Sequence, residues 1–276
     1  MKRRKICING GSSVLGTHTS TKIIAVLSFL IMIIVNVFAN IISINGKTTY
    51  QILNSYPNLF APAGYTYLMC LLIDLLLAGF VLYQLGLFDQ AKGRLESEGM
   101  QRIRILFITS TILYAAWSLS FHFDFMALSL VIVIIIFICL LLINHTLHTE
   151  ELSIRDKPIV KLTFSILAAW ILVITIITLV ALLVSIGWKG FGIPDLIWNI
   201  IIIIISTSIS LIIMSKYNNI AYGLTIIWAY TGILVKHLSV KGYHGQYTEI
   251  IVTTIICIVI LTMMVGYLFV ISKRKL

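Results

Sequence analysis

Long apolar runs, separated by short polar stretches, set the pattern of this chain. They fall at Ile23–Ile44, Tyr65–Leu87, Ile105–Phe121, Met126–Ile143, Leu162–Ile186, Leu196–Met214, Ile220–Val235 and Ile250–Ile271. Each approaches the roughly 20 residues that a helix needs to cross a hydrocarbon layer about 30 Å thick. Ile220–Val235 is the shortest. Backbone groups in lipid must be satisfied within the span itself, which selects helices for such runs. The pattern predicts an all-α, polytopic helical membrane protein with about eight transmembrane helices.

The polar stretches between the runs are short. Met1–Lys22 is basic and rich in Gly, Ser and Thr, and reads as a tail. Lys2–Lys5 with the next apolar run has the outline of a signal peptide. That run is too long, however, and Asn36–Ile44 contains no small-residue cleavage site. Residues 45–64, NGKTTYQILNSYPNLFAPAG, read as a polar loop, and Asp89–Arg104 as a charged one. Only HFDF separates the third and fourth runs, so these form a tight helical hairpin. Asn144–Lys161, with Pro158 as a stop signal, then GWKGFGIPD and SKYNN, provide the remaining connections.

Composition agrees with this picture. Hydrophobic residues make up 59% of the chain and charged ones 11%, more apolar surface than a soluble core hides. A net charge of +10 would suggest nucleic acid in a soluble protein. In a membrane protein Lys and Arg report orientation instead. Sixteen of the 20 fall in the tail, the second–third, fourth–fifth and sixth–seventh connections and the C-terminus. That distribution predicts eight spans in the cell (plasma) membrane, both termini cytoplasmic, and the loop at 45–64 outside. High Ile, Asn and Lys usage suggests an AT-rich bacterial genome. Cys7, Cys70, Cys139 and Cys257 lie one per segment without a CxxC pair, which argues against a disulfide framework or zinc site. There is no Walker, GxGxxG or HExxH motif and no connection long enough for a catalytic globule, so neither an enzyme nor a cofactor is expected.

PNLFAPAGYTY, which opens the second run, resembles the proline-rich first loop and second helix of the TspO/MBR family, the tryptophan-rich sensory proteins. The similarity continues at Trp117 and Ser118–His122, and at KLTFSILAAWILVITIITLVALLV in the fifth run. GWKGFG at 187–192 and AYGLTIIWAYTGILVK at 221–236 look like the C-terminal extension of the longer bacterial members. The resemblance implies a five-helix bundle over 23–186, after the 1–22 tail, and a three-helix extension over 187–276. It also implies a pocket for porphyrins, sterol-like lipids or other flat hydrophobic ligands. The chain departs from the family pattern at Cys70, where Trp is usual, at Asp74, where Tyr is usual, and at Thr163, where Pro is usual.

Candidate chemistry gathers at Ser55–Asp74. Pro57 and Pro62 fix the backbone of the lead-in, and Tyr56, Phe60, Tyr65 and Tyr67 cluster where the chain reaches lipid. Asp74 is the only acidic residue near the middle of any run. A carboxylate at mid-bilayer costs roughly 2.5–3.5 kcal/mol, so it should face the bundle interior and have a partner. It reads either as a coupling or ligand-anchoring group, or as a neutral acid bonded to Asn36, Asn40 or a hydroxyl. The aromatic set reads as a pocket roof or as an interfacial belt. Trp117, Trp170 and Trp228 lie inside runs and need partners for their indole N–H groups. Trp188 and Trp198 read as belt residues, Asn36 and Asn40 as glue between helices, and His122 with Asp124 and His145 with His148 as solvated ends rather than metal sites.

The expected ligand site is therefore Pro57, Phe60, Pro62, Tyr65 and Tyr67 as an outer lid, with Asp74, Trp117 and Trp170 beneath. The leading function is binding, sensing or carrying a small hydrophobic ligand. The alternatives are a secondary transporter that uses Asp74 as coupling carboxylate, and a non-catalytic accessory membrane subunit. Expected partners are the lipid bilayer, that ligand, and a second copy or another membrane protein; nucleic acid is not expected.

Overall fold

The computed structural model describes residues 11–56, 58–86, 97–149 and 157–274. Among these, nine helices account for the fold: α1 (Gly11–Val37), α2 (Thr49–Ser55), α3 (Leu68–Gln84), α4 (Glu98–His122), α5 (Met126–Thr149), α6 (Lys157–Ser185), α7 (Asp195–Tyr217), α8 (Ile220–Leu238) and α9 (Thr248–Arg274). Seven of them, all but α2 and α8, are long and apolar enough to cross a bilayer. With the polar stretches that join them, they make this a multi-pass membrane protein.

α8 is the exception that the sequence pattern foreshadowed. It is shorter than α7 and α9, at 19 residues against 23 and 27, and one of its faces is packed into protein. Tyr222, Gly223, Thr225, Tyr230 and Gly232 are all buried in it. Its lower apolar content follows from that position: side chains that meet other helices need not be oily. α6 stands beside it at the centre, packed on α3, α5 and α8. Ala168, Ala169 and Ala181 are buried on α6 and let the neighbouring helices approach closely.

Two local expectations change. The stretch read as a loop at 45–64 contains the short helix α2, started by a capping box in which Thr48 Oγ1 accepts from Gln51 N–H and Gln51 Oε1 accepts from Thr48 N–H. Asp89–Arg104 is not loop to its end either, because α4 begins at Glu98 after Ser97, whose Oγ accepts from Met100 N–H at 3.2 Å. Met100, Ile103 and Phe107 share one helical face and are fully buried, so the helix extends back to include them. Arg104 travels inside with that turn: its Nε donates to Gln84 Oε1 at 2.8 Å and its Nη1 to Thr21 Oγ1 at 3.1 Å.

Packing is fixed by two interior clusters. Phe80, Phe107 and Phe164 meet edge to face, with centroids 4.8–6.2 Å apart, and join α3, α4 and α6. Such pairs add about 0.5–1.5 kcal/mol each beyond the area they bury. Nearer the α7–α8 turn lies a polar knot. Asn219 Nδ2 donates to Ser165 Oγ at 2.7 Å and to Asn144 Oδ1 at 3.2 Å, and Asn144 Nδ2 donates to Phe164 O at 3.2 Å. Asn219 Oδ1 meanwhile caps α8 by accepting from Tyr222 N–H. Close by, Lys161 Nζ reaches the carbonyls of Tyr217 and Asn218, where a cation complements the negative end of α7.

Candidate functional site

At the other end of the bundle the chain between α2 and α3 is extended and then makes a 3-10 turn, Gly64–Tyr67, into α3. This segment is fastened almost entirely through its backbone. Ala63 N–H donates to Gly232 O at 3.0 Å, and the Trp228 indole N–H donates to Thr66 O at 3.1 Å. His237 Nε2 lies 2.8 Å from Leu59 O, and Tyr243 Oη donates to Asn58 O at 3.1 Å. Gly232 permits the approach: a Cβ there would run into Thr66 and Pro62. The proline-rich segment is therefore tied to α8 and to the loop after it. At its other margin Tyr56 Oη donates to Asp124 Oδ1 at 3.0 Å; burial first, then that carboxylate, hold the phenol above its usual pKa.

Beneath the turn lies a cavity of about 530 Å³, within the range of small-molecule sites. α1, α2, α3, α4 and α6 all contribute to its wall. Tyr67 is its central ring, meeting Tyr50 edge to face at 6.0 Å and Trp170 at 5.8 Å. Tyr114 and Trp117 form the facing wall, with centroids 5.4 Å apart. Cys70, Asp74, Tyr114 and Trp170 also border a second, inner chamber of about 20 Å³, room for about one water. Asp74 thus stands where the two spaces adjoin.

The polar groups of this cavity are few and uneven. Asn36 Nδ2 donates to Asp74 Oδ2 at 2.9 Å, and Asn40 Nδ2 donates to Asn36 Oδ1 at 2.6 Å. The chain α1–α3 contact is thus a relay of amides ending on a carboxylate. α1 continues into a π-helical turn, Phe38–Ile42, that includes Asn40. Cys70 and Trp170 both line the wall. Trp117, only 3% exposed, has a buried indole N–H with no acceptor among the described residues. A buried donor left unpaired costs about 1–3 kcal/mol.

Tyr65, Tyr67, Asp74, Trp117 and Trp170 of the expected site all line this one cavity. Phe60 and Pro62 are buried on the opposite side of the segment. Phe60 meets Tyr230 of α8 edge to face at 6.4 Å, and Pro62 sits against Gly232. Pro57 lies outside the described residues. Tyr50, Cys70 and Tyr114 belong to the wall although sequence reasoning did not single them out as site residues. The Thr48–Gln51 capping pattern would have placed Tyr50 on a helix, and Tyr114 precedes Trp117 by one helical turn.

The remaining candidates resolve locally. His122 Nδ1 lies 2.7 Å from Ser118 O, and Asp124 serves Tyr56. His145 and His148 pack edge-on against Tyr217, while Glu150 and Glu151 lie outside the described residues. Among the described residues no group of three or more His, Cys, Asp or Glu is placed to hold a metal ion.

Comparison with known proteins adds one match. The model of the family described as TSPO-like protein matches residues 22–267, most of the chain. No curated protein and no solved structure matches the chain.

Proposed function

The chain belongs to the TSPO-like family, and from that premise we propose that it binds a small, flat hydrophobic molecule in the cavity beneath the proline-rich segment. Pro57, Phe60 and Pro62 shape the lid, Tyr65 and Tyr67 form its inner surface, and Asp74, Trp117 and Trp170 form the walls below. The observation that carries this reading is the 530 Å³ cavity itself, walled by Tyr65, Tyr67, Trp117 and Trp170 with Asp74 among them. The rings suit a flat apolar body, and a ligand hydroxyl or amine would complement Asp74. Porphyrin- and sterol-like molecules have that combination of flat apolar body and polar margin. The reading is of binding, with sensing or carriage as its use, and not of catalysis. The distribution of Lys and Arg supports a plasma-membrane protein with both termini cytoplasmic, which puts the lid outside. A second copy or another membrane protein would read the bound state.

A thermal-shift screen of the detergent-purified chain against porphyrins, sterols and hydrophobic amines tests this. A ligand that binds only the folded state at a hundred times its Kd stabilises it by about 2.7 kcal/mol. The expected hit raises the melting temperature, and the rise shrinks in Tyr67→Ala and in Trp117→Phe. A flat screen with well-folded protein would overturn the reading in favour of an accessory subunit. The position of Asp74 between the cavity and the inner chamber favours one second reading, coupled transport. In that case uptake into vesicles is abolished by Asp74→Asn while ligand binding persists.

A further inference from the structure

A separate cavity of about 470 Å³ lies at the same end of the bundle, beyond Asn58 and Leu59, and the ligand reading does not use it. It is walled by Asn58 and Leu59, the last turns of α6 and the turn after it, the first two turns of α7, and the connection from α8 into α9. They contribute four aromatic rings, Trp188, Trp198, Tyr243 and Tyr247. The rings are set at angles rather than stacked. Trp188 and Trp198 are 5.0 Å apart at 57°, and Tyr243 and Tyr247 5.3 Å apart at 81°.

Trp198 is locked in place. Its Nε1–H donates to Gly190 O at 2.9 Å, and Gly190, at φ +59°, is the residue that lets the indole in, since a Cβ there would sit 2.7 Å from it. Asp195 and Asn199 line the same cavity. Asn199 is 6% exposed; its Nδ2 donates to Asp195 O at 2.8 Å, and its Oδ1 is buried with no donor among the described residues. The cavity wall thus offers π faces and a carboxylate. No Lys, Arg or His is among its lining residues. One ring already attracts a cation from outside the wall: Lys236 Nζ lies 5.6 Å over Tyr243.

We infer that this cavity is a site for an organic ammonium cation, of the trimethylammonium type, held between the aromatic rings with Asp195 as counter-charge. Ring faces attract such cations through their quadrupole, and a quaternary nitrogen needs no hydrogen-bond partner. The head group could come from a soluble choline-type solute or from a choline lipid at the membrane surface. Both offer the same chemistry to the rings.

The test uses the full chain in a maltoside detergent, with choline as the probe and 3,3-dimethyl-1-butanol as its uncharged isostere. Choline is expected to change the tryptophan fluorescence saturably, at a Kd at least tenfold below that of the isostere. Trp188→Ala is expected to weaken choline roughly tenfold, and Trp188→Phe to restore most of the loss. Asp195→Asn, at an exposed position where folding is not at stake, is expected to weaken it several-fold. Equal binding of the isostere, no saturable binding of choline, or full affinity in both Trp188→Ala and Asp195→Asn would overturn the inference. Reconstitution in phosphatidylcholine and in phosphatidylglycerol nanodiscs separates the sources. Choline binding blocked only by phosphatidylcholine identifies a lipid head group; equal binding in both identifies a soluble solute.

Discussion

Two polar sets lie inside this bundle, one near each end, and they are finished differently. At the α7–α8 end, Asn144, Ser165 and Asn219 are buried and bonded to one another, to Phe164 O and to the start of α8. The set links α5, α6 and α8. At the other end, Asn40, Asn36 and Asp74 form a relay along a 530 Å³ space, and the buried Trp117 N–H has no acceptor among the described residues. A completed network holds helices in one arrangement, whereas an incomplete one beside a cavity leaves its remaining bonds for a ligand. Polarity inside a membrane bundle is therefore not one signal. What separates these two sets is that one is bonded within the helix packing and the other borders a cavity.

Substitutions can break or sharpen that contrast. The largest effect is expected at Gly232, since the cavity end is held by backbone contacts rather than by a polar knot. Gly232→Val should push the proline-rich segment off α8 and cost roughly 3 kcal/mol, seen as a lower melting temperature or as cleavage by added protease within 58–66. Asn219→Ala comes next. It removes two interhelical bonds and the α8 cap, and should cost about 2 kcal/mol in thermal or denaturant unfolding while leaving ligand affinity at the far cavity unchanged.

Asp74→Asn acts in the opposite sense. Affinity for an amine-bearing ligand should drop about tenfold, equivalent to roughly 1.4 kcal/mol, with little change in melting temperature. Trp117→Phe is expected to have the smallest effect on stability, within about 1 kcal/mol and of either sign, because it deletes a donor that had no partner. Its cost should fall on binding, measured by titration of the same ligand. If Trp117→Phe destabilised the protein as much as Asn219→Ala, the distinction between the two sets would fail.

Much of the architecture was legible because the apolar runs are long and cleanly interrupted. The limits of legibility are equally physical. α8 looks short because its protein-facing side carries Tyr222, Thr225, Tyr230 and Gly232, so that hydropathy understates a helix buried along one face. Arg104 looks like a loop charge until the Met100–Ile103–Phe107 face is followed back to Ser97. In the site, Tyr65, Tyr67, Asp74, Trp117 and Trp170 could be named because aromatic and acidic residues stand out against an apolar background. Phe60 and Pro62 share that prominence but sit on the α8 side, because an extended segment turns successive stretches to different neighbours. The pairing of Trp188 and Trp198 with Tyr243 and Tyr247 had no signal at all in the sequence, since two connections far apart in the chain create it.

The tie between the proline-rich segment and α8 also has a consequence in time. His237 meets Leu59 across 178 residues of sequence, and Tyr243 meets Asn58 across 185. At the usual pace of synthesis, about 5–20 residues per second, a stretch of that length takes roughly 10–40 s to emerge. The helices that wall the cavity are complete by Ser185, before any of α8 exists, so until Gly232 and His237 emerge the segment above them has nothing to fasten to. The roof is thus closed after its walls, and a molecule present in the nascent bundle's surroundings meets an open chamber before it meets a shut one.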